Sequence, residues 1–120
     1  ADLYNLDAPV TIEPHKTVLI HTGIALEIPE GYCGLIFARS GLASKRGLAP
    51  ANKVGVIDSD YRGEICVGVI KQTEEPYTIQ PFERIAQMVI KPVELPEIIE
   101  VEELDETDRG AGGFGSTGKK

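Results

Sequence analysis

The chain reads as a single all-β domain, and three features of its 120 residues point that way. Thirteen glycines and eight prolines are spread between short apolar runs, which marks many turns. The runs are rich in Val and Ile, side chains that fit a pleated surface. The length allows one modest core and leaves no room for a second domain. A formal net charge of -7 argues against a nucleic-acid groove or an anionic membrane surface, both of which need clustered Lys and Arg. Cys33 and Cys66 lie in strand-like runs and form no Cys-x-x-Cys pair, which argues against zinc and for reduced thiols in a cytoplasmic protein. No run approaches the length of a membrane span, and the first residues lack the basic and apolar regions of a signal peptide.

In chain order, strands are expected from Val10 to Glu13 and Thr17 to His21, and from Ile24 to Ile28, where the apolar residues alternate cleanly. Pro29-Glu30-Gly31 then turns the chain into a strand from Tyr32 to Ala38. Beyond Arg39, Ser40 is placed to cap one or two helical turns that Gly47 stops. A helix start beside an Arg suits phosphate oxygens, although the same pattern also fits a plain surface helix with solvated Lys45 and Arg46.

Asn52 to Gly63 reads as two strand ends joined around an acidic turn. Val54, Val56 and Ile57 supply strand character; Asn52, Asp58, Ser59, Asp60 and Gly63 supply turn chemistry. The expected hairpin partner runs from Glu64 to Lys71, with Ile65, Val67 and Val69 on one face and Cys66, Gly68 and Ile70 on the other, hence buried on both sides. Such a hairpin holds the Asp58 carboxylate beside the Tyr61 ring on a rigid scaffold, as a positioned base requires. Equally, Asp58 in an Asx-turn would only accept bonds from nearby backbone amides. Further strands are expected from Tyr77 to Gln80 and from Arg84 to Ile90, the latter an interior strand in which Gln87 needs a buried partner. Past Pro92 and Pro96, Glu97 to Glu103 reads as a strand with one face exposed. His15 falls in a surface turn and His21 in a strand, neither in a ligand-like cluster.

From Leu104 the composition cannot bury enough surface to fold alone. Gly110 to Gly115 fits G-x-G-x-x-G, and Gly113 to Lys120 nearly fits a P-loop. Neither has a following helix, and Lys120 stands where a P-loop needs Ser or Thr, so both readings fail. What remains is a set of unshielded backbone amides with Arg109, two hydroxyls and the Phe114 ring, able to wrap a nucleotide or to stay solvated.

Taken together, Ala1-Asp2-Leu3, Arg39-Ser40-Gly41-Leu42, Gly55 through Gly63, Arg84-Ile85-Ala86-Gln87 and Arg109 through Gly118 resemble, in order and over nearly the full chain, the motifs of the trimeric deoxyuridine triphosphatases. The resemblance implies a jelly-roll-like β-barrel with one short helix and a flexible Gly-rich C-terminal arm, the barrel spanning 1–103 and the arm 104–120. It implies a homotrimer with shared sites that hydrolyses dUTP to dUMP and pyrophosphate with Mg2+. By position, Asp58 resembles the general base and Tyr61 the ring against the deoxyribose. Asn52, Gly55 and Cys66 resemble the uracil pocket, and Arg39, Ser40, Gly41 and Gln87 the phosphate contacts. Asp2 resembles the residue that touches the metal through water. In the arm, Phe114 resembles the ring stacked on uracil, with Arg109, Gly115, Ser116 and Thr117 closing on the phosphates. A dCTP deaminase-type relative shares the fold, but Asp58, Tyr61 and Gly63 fit the triphosphatase motif better. A non-catalytic nucleotide-binding regulator is the other alternative, against which stand Asp58 and the complete arm.

Overall fold

Three antiparallel sheets and one helix make up the computed structural model, which describes residues 1–116 and 118. In chain order the elements are β1 (Asp2–Tyr4), β2 (Val10–Ile12), β3 (Thr17–His21), β4 (Tyr32–Ala38), α1 (Ser40–Arg46), β5 (Leu48–Pro50), β6 (Gly55–Ile57), β7 (Cys66–Lys71), β8 (Tyr77–Ile79) and β9 (Arg84–Pro92). The sheets run β1-β9-β4-β6, β2-β8 and β3-β7-β5. They pack as a jelly-roll-like, nearly all-β fold whose barrel is not closed by a continuous ladder. No helix among the described residues is long and apolar enough to cross a membrane.

The inner faces supply one core. Ile12, Ile20, Ile36, Val67, Val69, Ile79 and Met88 point into it from four strands and the short β2-β8 pair. Alternation fails in β9, where Ile85 and Ala86 are both buried. The register explains this: Leu3 faces Ala86 but Tyr4 faces Arg84, so Ile85 is the extra residue of a bulge. Buried Asn5 is fully bonded, its amide donating to the Gln80 and Asp7 carbonyls at 3.1 and 3.3 Å and its oxygen accepting the Asp7 N–H at 2.9 Å.

Several expectations change. Residues 24–28 form no strand: the Ile24 carbonyl accepts one bond from Ile65 N–H at 2.8 Å, and no ladder follows. The hairpin of β6 and β7 does not exist as such. Ile57 pairs with Gly34 of β4, while β7 lies between β3 and β5, so residues 58–65 cross from one sheet to another. Accordingly β7 buries Val67 and Val69, whereas Cys66, Gly68 and Ile70 are half-buried. The helix stops at Gly47 as expected, with φ 65°, but its N-cap is Arg39 and no side chain caps it; Ser40 is the first helical residue. Gln87 lies on an interior strand yet is exposed, opposite Asp2 and Phe37. Residues 97–103 form no strand, and Val93, Leu95, Ile98, Ile99, Val101 and Leu104 are all exposed.

That open segment enlarges the molecule. The radius of gyration is 18.8 Å, against about 14 Å for a compact domain of this length. Accessible surface is 8877 Å2, against about 6300 Å2 for a compact monomer of 13.0 kDa.

Candidate active site

β6 sets the position of Asp58. Its pairing with β4 is close because Gly55 has no side chain: a Cβ there would stand 3.2 Å from Ile36 Cβ and 3.4 Å from the Asn52 amide nitrogen. Asn52 and Gly55 are thereby neighbours at the start of β6, and Asp58 follows at its end. The Asp58 carboxylate is exposed at the mouth of a 350 Å3 cavity shared with Leu19, Val56, Tyr61, Glu64 and Cys66. On its other side it faces a second cavity with Glu30, Ser59, Asp60 and Arg62.

The crossing loop braces itself. Tyr61 N–H donates to the Asp58 carbonyl at 3.2 Å, the Arg62 guanidinium to the Ser59 carbonyl at 2.7 Å, and the Tyr61 hydroxyl to the Glu64 carbonyl at 2.7 Å. Gly63 makes the last of these bonds possible. A Cβ at 63 would lie 2.7 Å from the ring carbon that carries the Tyr61 hydroxyl, inside contact distance. The Asp-x-x-Tyr-x-Gly spacing is thus a folded-back aromatic ring over a residue that must lack a side chain.

The phosphate candidates gather elsewhere. The Arg39 guanidinium donates to the Arg84 carbonyl at 2.9 Å, and Arg84 reaches the Asp2 carboxylate at 3.4 Å. Gln87 is the register partner of Asp2, and Ser40 and Gly41 open α1 just beyond Arg39. Arg84 belongs to this patch although the residue-by-residue reading gave it no role; its place in the Arg84-to-Gln87 motif was the available signal. This patch is remote from Asp58. Ile57 is opposite Gly34, five residues before Arg39, which is about 16 Å along β4.

The arm forms a third group. Arg109, Phe114, Gly115 and Ser116 line one cleft of their own, with Arg109 Nε donating to the Gly112 carbonyl at 2.6 Å, and Phe114 is fully exposed. None of the residues lining that cleft lines the Asp58 cavity. Thr117 lies outside the described residues.

One expectation is overturned at the cavity rim. His21 does sit in a ligand-like cluster, because the β3-β7 register places it directly opposite Cys66. His21 Nδ1 lies 2.9 Å from Glu64 Oε1 and 3.4 Å from Cys66 Sγ, and Gly23 N–H donates to Glu64 Oε2 at 2.8 Å. The hydrogen bond that the His21 ring donates to Glu64, together with the Glu64 charge, raises the His21 pKa, and His21 together with the Gly23 amide lowers that of Glu64. Burial, followed by the Glu64 charge, raises the Cys66 thiol.

Comparison with known proteins agrees with this architecture. The sequence profile described as dUTPase matches residues 2–118. A deoxyuridine 5'-triphosphate nucleotidohydrolase of Desulfitobacterium hafniense is 59% identical over 115 residues, which is 95% of this chain and 76% of that protein. Among solved structures, the Staphylococcus bacteriophage 80alpha dUTPase with dUPNHPP superposes with a TM-score of 0.87 at 34% identity, covering 98% of this chain and 84% of that one. A mutant dUTPase from phage phi11 of S. aureus, described with a structural Mg(II) ion, gives a TM-score of 0.76 at 29% identity, covering 85% and 82%. With the family profile spanning nearly every residue and the fold matching throughout, the chain belongs to the dUTPase family.

Proposed function

We propose that this chain hydrolyses dUTP to dUMP and pyrophosphate in sites shared between three copies. The observation that carries the reading is the separation of Asp58 from the Arg39 patch, about 16 Å along β4. That spacing favours a nucleotide whose α-phosphorus lies at Asp58 of one chain and whose outer phosphates lie on Arg39 of another. Copies related by a three-fold axis bring one chain's cavity to another's patch. The exposed apolar residues from Val93 to Leu104 and the surplus accessible surface support such an assembly.

In the proposed site the base enters the cavity of Asp58, Tyr61 and Cys66, and the Asn52 amide and the backbone around Gly55 and Cys66 read its edge. The Tyr61 ring lies against the deoxyribose and leaves no room for a 2′-hydroxyl. Arg39, Ser40, Gly41 and Gln87 take phosphate oxygens. Asp58 accepts a proton from water as the water oxygen bonds to the α-phosphorus; the bond from that phosphorus to the bridging oxygen breaks, and pyrophosphate leaves. The arm, residues 104–120, closes with Phe114 on the base and Arg109, Gly115, Ser116 and Thr117 on the phosphates, excluding bulk water.

Mg2+ fits the donors at the patch. Asp2 is the carboxylate there, which matches an ion held chiefly by substrate phosphates and water rather than by a protein cage. Asp2 would hold the ion through water, and the ion would supply positive charge to the leaving pyrophosphate. The relatives are bacterial and phage enzymes of nucleotide chemistry, and a cytoplasmic location is part of the proposal.

The test incubates the protein with dUTP or dCTP and Mg2+. The expected result is one pyrophosphate and one dUMP per dUTP, no ammonia from dCTP, and a solution mass three times 13.0 kDa. Ammonia from dCTP, or dUTP left intact, overturns the reading.

A further inference from the structure

We propose that His21, Glu64 and Cys66 form a binding site for a zinc-class divalent cation at the rim of the Asp58 cavity. Their donor atoms lie within 4.8 Å of one another. The closest pairs are 2.9 Å for the His21 nitrogen and the Glu64 oxygen and 3.4 Å for the His21 nitrogen and the Cys66 sulfur. Around a tetrahedral zinc ion the corresponding separations are about 3.4 and 3.6 Å, from metal–ligand lengths near 2.0–2.3 Å. To take an ion, the Glu64 carboxylate turns so that its oxygen stands about 3.4 Å from the His21 nitrogen and about 3.6 Å from the Cys66 sulfur, from which it now lies at most 4.8 Å.

The donors are fixed by backbone rather than by chance rotamers. His21 and Cys66 are cross-strand partners on one face of the β3-β7 ladder, where directly opposed side chains meet. Glu64 stands two residues before Cys66, with its second oxygen held by Gly23 N–H and its carbonyl by the Tyr61 hydroxyl. The His21 backbone N–H in turn donates to Asp7 at 3.2 Å. Of these bonds the one from Gly23 acts on a ligand group itself, as the outer hydrogen bonds of metal sites do, and the other two hold the main chain that carries the ligands.

The donor set selects the ion. One sulfur, one imidazole nitrogen and one carboxylate oxygen suit zinc and its borderline neighbours, whereas Mg2+ and Ca2+ take oxygen ligands. A thiolate and a carboxylate together cancel a divalent charge, so the occupied site is neutral. Three protein ligands leave the fourth position for water or an incoming group, the arrangement of an open zinc site. Glu64 and Cys66 line the Asp58 cavity, so an ion there narrows it. The consequence that zinc inhibits dUTP hydrolysis rests on the function proposed above, whereas the site itself does not.

Cobalt(II) is the probe, because a cysteine thiolate bound to it gives a charge-transfer band in the near ultraviolet. With no nucleotide present, titration of the folded protein is expected to give this band at one cobalt per chain, and zinc is expected to abolish it. Cys66→Ser removes the band and Cys33→Ser leaves it. His21→Asn and Glu64→Gln, at exposed and half-exposed positions, each weaken cobalt binding at least tenfold, the minimum loss on removing even a supporting group. No band, a band that follows Cys33, or one unchanged in both His21→Asn and Glu64→Gln overturns the site. Zinc is then added to dUTP turnover at fixed Mg2+: inhibition in the unmodified protein that is relieved in His21→Asn supports the coupling, and an unchanged rate with the site saturated overturns it. Failure to hydrolyse dUTP at all counts against the proposed function and leaves the cobalt spectra standing.

Discussion

Replacing Gly63 by alanine tests whether the Tyr61 ring is a sugar gate. A Cβ at this position would stand 2.7 Å from the ring carbon bearing the hydroxyl, where ordinary contact begins near 3.4 Å, so the ring tip must move by about 0.7 Å or more. Its hydroxyl then leaves the Glu64 carbonyl, a bond of 2.7 Å worth about 1 kcal/mol, or roughly fivefold in the population of the folded-back ring. The loop is exposed and the core does not touch residue 63, so the fold is retained. The assay is kcat/KM for dUTP and for UTP, measured on the unmodified protein, Gly63→Ala and Tyr61→Phe. The preference for dUTP should fall by about fivefold or more in Gly63→Ala, since a displacement approaching 1 Å at a reacting site costs up to about 10²-fold. Tyr61→Phe loses the hydroxyl but meets no clash, so it should fall less. An unaltered preference in Gly63→Ala, with an unaltered melting temperature, would refute the claim that the ring discriminates the sugar.

Three further outcomes are expected. Asp58→Asn should keep the fold and nucleotide binding but lose about 10²-fold to 10⁴-fold in dUTP turnover, the usual contribution of a positioned base; wild-type-like pyrophosphate release would remove Asp58 from that role. Refolding equal amounts of Asp58→Asn and of chain truncated after Asp108 should restore about a quarter of the unmodified activity, because roughly six trimers in eight are mixed and each has one site with both parts sound. Verified mixed trimers without activity would sink the shared site. Gly47→Ala forces a side chain into the left-handed region, at φ 65° and 2.7 Å from the Thr73 methyl, so it should cost about 1–2 kcal/mol and lower the melting temperature by about 4 °C or more. An unchanged calorimetric transition would contradict the assignment of Gly47 as the helix stop.

Where the sequence was legible, a local signal decided the matter. Tyr32–Ala38 and Cys66–Lys71 declare themselves by β-branched and apolar runs, and Gly47 stops α1 because the left-handed turn there favours glycine. Pairing was not legible. Alternation tells which face of a strand is buried but not which strand lies beside it, so β6 and β7 read as a hairpin when each has other partners. The short β1 and β5 carry too few residues to show a period, and only their ladders with β9 and β7 define them. Residues 24–28 alternate as a strand should yet find one hydrogen bond, because their neighbour is the crossing loop at Ile65, which forms no ladder. The same limit governs the site. Asp58, Tyr61 and Gly63 lie within six residues of each other, and their spacing carries the loop geometry. The cluster of His21 with Glu64 and Cys66 spans 45 residues and exists only through the β3-β7 register.

The open segment from Val93 to Leu104 poses a kinetic problem for a newly made chain. Its apolar side chains are displayed on backbone that joins no ladder, with the Val93 N–H donating to the Gly31 carbonyl at its start, a template on which a second copy of the same segment can stack. The glutamates at 94, 97, 100, 102 and 103 oppose that outcome. Stacked in register, each carboxylate would stand about 4.8 Å from its own copy, repeated five times along the strand. Against a surface of different sequence the repulsion is absent while the apolar contacts remain. The charges therefore act as gatekeepers: they make fibril-like stacking of like upon like the losing branch of assembly and leave docking on unlike surface as the open one.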